Sequence, residues 1–225
     1  MTAVEQPRAK RLSPAERRHR IVEAAARVAL GQGLEEVTYR SVAEASDCTR
    51  GLIHHYFDSV EALEAEAFGH AAGTTLEAVF ARVDEADGAV ESLRTLLLAW
   101  VSDEPDQHAR LWLDAWCRSS RSPAVKDSVD RIMRAGHARV AGLLARGLAD
   151  GSFAPHDPDA VAWQLLTALD GVIIHVTLGV NRGLVDVRRT MARFAEKELG
   201  LPPEALTTVF DTAGSPDAPP GDGPA

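Results

Sequence analysis

The stretch from Thr38 to Phe57 constrains the fold more than any other part of the chain, because it carries two helix starts separated by one short break. Thr38 is a good N-cap for a first short helix, whose apolar positions include Val42. The sequence Ser-Asp-Cys at 46–48 interrupts that pattern, and Thr49 offers a second cap directly afterwards. Two short helices joined by a tight turn are therefore predicted, which is the pattern of a helix-turn-helix.

The second helix of such a pair presents its first turn to the major groove of DNA. Arg50 is the first candidate for a base or phosphate contact, because a guanidinium matches guanine O6 and N7 or a phosphate with two hydrogen bonds. Ile53 and Phe57 are predicted to be core. The alternative for every candidate is an ordinary exposed helix position. The candidates on this helix are Thr49, Arg50, Gly51, Leu52, His54, His55 and Tyr56.

The residues on either side extend the pattern over Arg18 to Leu63. The matching runs are Ile21-Val22-x-Ala24-Ala25, Gly33, Thr38-x-Arg40-x-Val42-Ala43, Gly51-Leu52-Ile53-x-His55-Tyr56-Phe57 and Ser59-x-Glu61-x-Leu63. This ordered set resembles the TetR family of bacterial transcriptional regulators. The run at 51–57 is most similar to the subgroup that includes the betaine-biosynthesis repressor.

The resemblance implies a three-helix DNA-binding domain followed by a larger helical domain for effector binding and dimerisation. It also implies that Arg40, His55 and Tyr56 approach the phosphate backbone. Two positions depart from the family pattern, with Asp47 in place of the usual glycine and Val60 in place of the usual lysine. An aspartate tolerates the left-handed backbone that the turn needs. A phosphate contact is expected to be missing at Val60.

The charge of the chain is unevenly distributed. The net charge is −9, but residues 1–58 hold nine Lys and Arg against eight Asp and Glu, whereas residues 59–225 hold fifteen against twenty-five. The segment from Arg8 to Arg20 has six basic residues and one acidic residue. DNA affinity depends on phosphate neutralisation where the surfaces meet, so a basic N-terminal edge on an acidic body is compatible with duplex binding. A merely solvated basic tail is the alternative.

Helix starts and hydrophobic periodicity predict an all-α chain of about nine helices. Proline follows a capping residue at Ser13-Pro14, Ser122-Pro123 and Asp157-Pro158, and no segment alternates with period two. We predict a disordered basic tail over 1–12, a helix-turn-helix domain over 13–58, a helical effector-binding and dimerisation domain over 59–200, and a mostly disordered tail over 201–225.

The most apolar segment, 161–180, is expected to form a helix at a dimer interface rather than a membrane span. Gln164, Asp170 and His175 interrupt it, and a span needs about 18 uninterrupted apolar residues. Its periodic apolar stripe supports the prediction of a dimer contact, and the alternative is that the stripe packs in the core of the same chain. We expect Gly171 to allow a close approach between helices. The stripe residues are Val161, Leu165, Leu169, Val172 and Val176.

The larger domain carries aromatic and soft side chains that suit an apolar or cationic ligand. Trp112 and Trp116 lie four residues apart and so share one face of a helix. Such a pair is also typical of a hydrophobic core. The effector candidates are Trp100, Trp112, Trp116, Met133 and His137, with His108 as a weaker one.

No motif indicates catalysis, a metal site or a cofactor. His54 and His55 are adjacent and point about 100° apart on a helix, and Cys48 and Cys117 form no Cys-x-x-Cys. We predict a cytoplasmic repressor that binds a palindromic, inverted-repeat operator as a homodimer and is released by a small-molecule effector. An activator, and a DNA-binding regulator without a small ligand, remain alternatives.

Overall fold

The computed structural model describes residues 13–100, 107–154, 157–179 and 187–206. These ranges contain nine α-helices, one short 3-10 helix over Leu34–Glu36 and no strand, which confirms the all-α prediction. The helices are α1 Pro14–Gln32, α2 Tyr39–Ser46, α3 Arg50–Tyr56, α4 Val60–Asp84, α5 Gly88–Trp100, α6 Gln107–Ser119, α7 Pro123–Ala149, α8 Pro158–Thr177 and α9 Val187–Leu199.

Local capping accounts for where the N-terminal helices begin and end. Ser13 caps α1 and exchanges hydrogen bonds with Glu16, while Gly33 ends the helix with a φ of 112°. Thr38 caps α2 through the backbone N–H of Ser41. Asp47 then adopts the left-handed conformation, with a φ of 54°, so the turn forms without the usual glycine.

Two clusters of buried side chains form the core. The first joins α1, α2 and α3 to the beginning of α4 and to α6 and α7, and the second joins the remainder of α4 to α5, α7, α8 and α9. The long helices α4 and α7 contribute to both clusters. Packing is therefore continuous across residue 58, although the division of function at that point remains a prediction.

The apolar stripe of α8 lies within the chain rather than at its surface. Val161, Leu165 and Leu169 are buried in the second cluster, with Val172 packed against it, so the intrachain alternative is correct for these residues. A different face of α8 is exposed, carrying Trp163, Ile174 and Leu178. A Cβ added at Gly171 would meet nothing within 4 Å, so that glycine serves no close approach within the chain.

One helix among the described residues, α8, is long and apolar enough to cross a membrane by length and composition alone. A single such helix is weak evidence, and one face of it packs within the chain as described above. Beyond α9, residues 201–206 pack against the helix, and Leu206 is fully buried. The basic tail predicted over 1–12 lies outside the described residues, and so does the part of the predicted 201–225 tail that follows residue 206.

Candidate functional site

The first turn of α3 is exposed at the surface of the N-terminal helices. Thr49 caps the helix by accepting a hydrogen bond from the Leu52 backbone N–H at 3.2 Å. Arg50 and Gly51 follow directly and are exposed, and a Cβ at Gly51 would meet nothing within 4 Å. Ile53, two positions after Gly51, is fully buried. The helix thus has a buried face that fixes its position and a free face at its positive end.

The second half of α3 is held by aromatic contacts. Tyr39 of α2 donates a hydrogen bond to the Phe57 carbonyl oxygen at 3.0 Å, and its ring centre lies 5.4 Å from that of His54. Burial raises the pKa of the Tyr39 phenol, so the group remains a neutral donor. His54 and His55 are exposed, and the His55 ring contacts that of Tyr56 edge to face.

Basic side chains near this surface differ in their availability. Arg40 is exposed and forms an ion pair of 3.0 Å with Glu44 one turn later in α2. Arg18 is committed within the chain, because it pairs with Glu66 at 2.9 Å. Arg50 is exposed and has no ion pair among the described residues, so it is the freer of the two predicted guanidinium groups. The seven predicted positions at 49–52 and 54–56 all lie on α3 or at its N-cap.

A cavity of about 340 Å³ lies among α4, α6, α7 and α8, with the end of α5 at its side. Three effector candidates, Trp100, Trp112 and Met133, line it, as does His108. Trp116 lies behind the wall, with its ring centre 5.5 Å from that of Trp112. His137 is also outside the wall, stacked on Trp163 at 4.5 Å.

The wall of this cavity also holds polar residues that were not predicted as effector contacts. Thr75 donates a hydrogen bond to the Ala71 carbonyl oxygen at 3.0 Å, and its hydroxyl lies 3.4 Å from Nε2 of His108. Asp170 of α8 lies in the wall as well, and burial raises the pKa of its carboxyl to about 6. The available signal in the sequence was an acidic residue in the middle of an otherwise apolar stretch of α8.

Helix α6 connects the cavity to the N-terminal helices. Its N-terminal half contributes His108 and Trp112 to the wall. In its C-terminal half, the carboxylate of Asp114 accepts a hydrogen bond from the backbone N–H of Leu34, directly after α1, at 3.1 Å. No local sequence pattern indicates this contact, because the partners are 80 residues apart.

A second contact ties the same half of α6 to α4. Arg118 donates two hydrogen bonds, of 2.8 and 2.9 Å, to the buried carboxylate of Glu64. These hydrogen bonds raise the pKa of the Arg118 guanidinium, which stays charged. Since α4 follows α3 directly, α6 contacts the helices on both sides of the helix-turn-helix.

Comparison with known proteins agrees with this arrangement. Residues 21–67 match the family described as "Bacterial regulatory proteins, tetR family", and residues 89–200 match "BetI-type transcriptional repressor, C-terminal". The chain belongs to the TetR family. It is therefore a DNA-binding transcriptional regulator with a helix-turn-helix domain, and the family is one of regulators rather than enzymes.

Three proteins similar to this TetR-family chain share 20–28% of its residues over the matched regions. The transcriptional repressor KstR2 of Mycolicibacterium smegmatis is 28% identical over 148 residues, which are 63% of this chain and 70% of that protein. A regulator from Saccharomonospora viridis, solved in complex with choline, has a TM-score of 0.67 and 24% identity over 81% of this chain and 96% of its own. A TetR-family regulator from Rhodococcus sp. has a TM-score of 0.69 and 20% identity, covering 82% and 99%.

Proposed function

We propose that this regulator is a repressor that binds an inverted-repeat operator as a homodimer and is released by a small molecule in the cavity. The observation that carries the proposal is the position of α6. Its N-terminal half lines the cavity, and its C-terminal half is hydrogen-bonded to Leu34 and Glu64 beside the DNA-binding helices. A ligand that moves α6 would therefore change its hydrogen bonds to Leu34, after α1, and to Glu64 of α4 at the same time.

DNA recognition in this proposal uses the exposed face of α3 with α2 beside it. Arg50, at the positive end of α3, reads a base edge, while Arg40 reaches a phosphate after exchanging its Glu44 partner. The residues proposed to contact DNA are Arg40, Thr49, Arg50, Gly51, Leu52, His54, His55 and Tyr56. One such short helix contacts a single half-site, so a two-fold dimer doubles the contacts on a palindrome.

The exposed face of α8 is the proposed dimer surface. Trp163, Ile174 and Leu178 are 45%, 38% and 61% exposed, although each is large and apolar. They lie on one side of the helix together with Gly171, which is open enough for a second helix to approach. An isologous contact between two copies of this face removes the apolar surface from water.

Release requires the effector to bind better to the DNA-free arrangement than to the DNA-bound one. A coupling of about 1–3 kcal/mol, typical of allosteric proteins, changes operator affinity by roughly 5–150-fold. The fold-level similarity to a regulator crystallised with choline supports a small-molecule site in this domain, and the similarity to a repressor supports repression. Activation remains the alternative, because operator position relative to the promoter decides the sign.

The decisive experiment is genome-wide footprinting, followed by a metabolite screen on the recovered operator by fluorescence anisotropy. We expect an inverted repeat, and at least one compound that lowers operator affinity at least fivefold. A scrambled duplex of equal length is the control for non-specific binding. Recovery of single half-sites without symmetry would contradict the dimeric mode, and an operator insensitive to every compound would favour a regulator without a ligand.

A further inference from the structure

The described wall of the cavity contains an acidic side chain but no lysine or arginine. Among the residues described there, Asp170 is the one acidic group. The carboxylate has no ion pair with any side chain in the described part of the chain. A ligand with a negative group would meet this carboxylate in a partly desolvated space with no countercharge.

The polar side chains of the wall present acceptors rather than donors. The Thr75 hydroxyl uses its proton on the Ala71 carbonyl oxygen, so its lone pair faces Nε2 of His108 as an acceptor. His108 then carries its proton on Nε2, and Nδ1 is left as a lone-pair acceptor. Nδ1 is buried and has no hydrogen-bond partner among the described residues. A bound molecule complementary to this wall brings donors.

The rest of the wall is apolar and aromatic. The rings of Trp100 and Trp112 contribute to it, with Leu76, Ile132 and Ile173 among the aliphatic residues. Indole rings attract cations through their quadrupole and also cover alkyl chains. The wall therefore combines apolar surface for a ligand body with one carboxylate for a ligand head.

We propose that the effector is an organic monocation, a protonated amine whose ammonium group lies beside Asp170 while its apolar body lies against Trp100 and Trp112. This inference rests on the proposed function, because it assigns a chemical class to the ligand of the same cavity. An ammonium supplies both the countercharge for Asp170 and the N–H donors that the wall lacks. A neutral ligand leaves the carboxylate unpaired, and an anionic ligand adds repulsion.

The test uses three probes that share one eight-carbon chain and differ only in the head group: octylammonium, 1-octanol and octanoate. Binding to the full-length protein is measured by titration calorimetry and by the fluorescence of the tryptophans in the wall. We expect octylammonium to bind about tenfold or more tightly than 1-octanol, as one charge-assisted contact implies, and octanoate to bind most weakly.

Two variants locate the head group. Asp170→Asn keeps the shape of the side chain and removes its charge, so the preference for octylammonium over 1-octanol should disappear while 1-octanol still binds. Asp127→Asn, at an exposed position on α7, removes the same charge away from the cavity and should leave the preference intact. Retained binding of 1-octanol to Asp170→Asn also shows that this variant is folded.

The pH dependence provides a second readout. The faces of α4, α6 and α7 in the cavity wall bring one other titratable group, His108, toward Asp170. With a pKa of about 6 at Asp170, lowering the pH from 7 to 5 removes most of the negative charge and should weaken octylammonium binding about tenfold. The affinity for 1-octanol should be nearly insensitive to this change of pH.

Four outcomes would each overturn the inference. They are equal affinity for all three probes, tighter binding of octanoate than of octylammonium, no binding of any probe, and an unchanged preference for octylammonium in Asp170→Asn. A separate measurement of operator affinity with and without octylammonium distinguishes this failure from failure of the proposed function. Binding that depends on Asp170 but does not release DNA would support the inference and contradict the proposed release.

Discussion

At the scale of single residues, the two exposed arginines near α3 differ in what holds them. Arg40 already has a carboxylate partner at 3.0 Å in α2, whereas Arg50 stands at the N-terminus of α3 beside the cap at Thr49. Arg40, which is already paired with a carboxylate on the surface of α2, can exchange that carboxylate for a phosphate oxygen. A free guanidinium at a helix start suits a base edge.

We therefore predict different losses on substitution. Arg50→Ala should weaken operator binding by about 1–3 kcal/mol and relax preference at one position of each half-site, while Arg40→Ala should weaken operator and random duplex alike. Anisotropy titrations on the operator, on single-base variants and on random duplex measure both effects. If Arg50→Ala loses equal affinity on every duplex, Arg50 contacts phosphate instead.

A second residue-scale prediction concerns Asp170 in the absence of ligand. Burial raises the pKa of its carboxyl from 3.8 to about 6, so the ionised form destabilises the folded state at pH values above 6. After a discount for solvent screening, the unfavourable free energy of the buried charge is roughly 1 kcal/mol. Asp170→Asn removes this charge and should therefore raise the melting temperature at pH 7.5 by about 2–4 °C.

The difference in melting temperature between Asp170→Asn and the parent protein should depend on pH. As the pH falls from 6 toward 4, Asp170 becomes protonated in the folded state and its penalty decreases, so the two melting curves should converge. Asp127→Asn, exposed on α7, is the matched control and should change little at any pH. A constant difference between Asp170→Asn and the parent protein down to pH 4 would show that the carboxyl is not perturbed by burial.

At the scale of elements, α6 depends on the pair formed by Arg118 and Glu64. Glu64 is 2% exposed, so loss of Arg118 leaves a carboxylate in the core without the partner that the structure describes. Arg118→Ala should reduce the free energy of unfolding by about 2–3 kcal/mol. Breaking a fully buried ion pair costs about 3–5 kcal/mol, and the loss is smaller here because Arg118 is partly exposed. Urea denaturation measures this loss.

Removing both charges tests the cause of that loss. The double variant Glu64→Met with Arg118→Met should recover much of the stability, because no unpaired charge remains in the core. Arg134→Ala breaks the exposed pair with Asp130 on α7 and should cost only about 0.5 kcal/mol or less. Equal losses for Arg118→Ala and Arg134→Ala would show that the α6 contact with α4 contributes no more than a surface pair.

At the scale of the whole molecule, the exposed face of α8 predicts the oligomeric state. Leu178→Glu and Ile174→Glu each place a charge in the proposed contact and should convert a dimer into a monomer with weaker operator binding. Leu98→Glu on α5 is the control for Ile174→Glu, because the two side chains are 37% and 38% exposed, and it should leave the dimer unchanged. Light scattering at micromolar concentration checks this; dimers of Leu178→Glu would contradict the assigned face.

The basic N-terminal segment is expected to contribute long-range attraction to DNA. Deleting residues 1–11 removes Arg8, Lys10 and Arg11 but keeps the cap of α1 at Ser13. If one to three of them touch DNA in each protomer, the slope of log affinity against log salt should become shallower by roughly 1–3. Circular dichroism should show unchanged helicity. An unchanged salt slope would assign the backbone contacts to Arg17, Arg20 or the histidines.

Local signals in the sequence determined the helices and the DNA-binding motif. Thr38 and Thr49 cap the helices that they were predicted to cap, and Asp47 makes the left-handed turn. Capping and turn formation involve residues within about four positions of each other, so a short stretch of sequence specifies them. The family pattern extended this local information to an overall all-α arrangement.

The tertiary structure alone decided how the helices are rotated and what covers each face. Periodicity identified the stripe of Val161, Leu165 and Leu169, but their burial against the rest of the chain, which left Trp163 and Leu178 outside, depends on neighbouring helices. The cavity around Asp170 has the same origin. The α6 contacts join residues 80 and 54 positions apart, and such pairs are formed by packing, which no local pattern encodes.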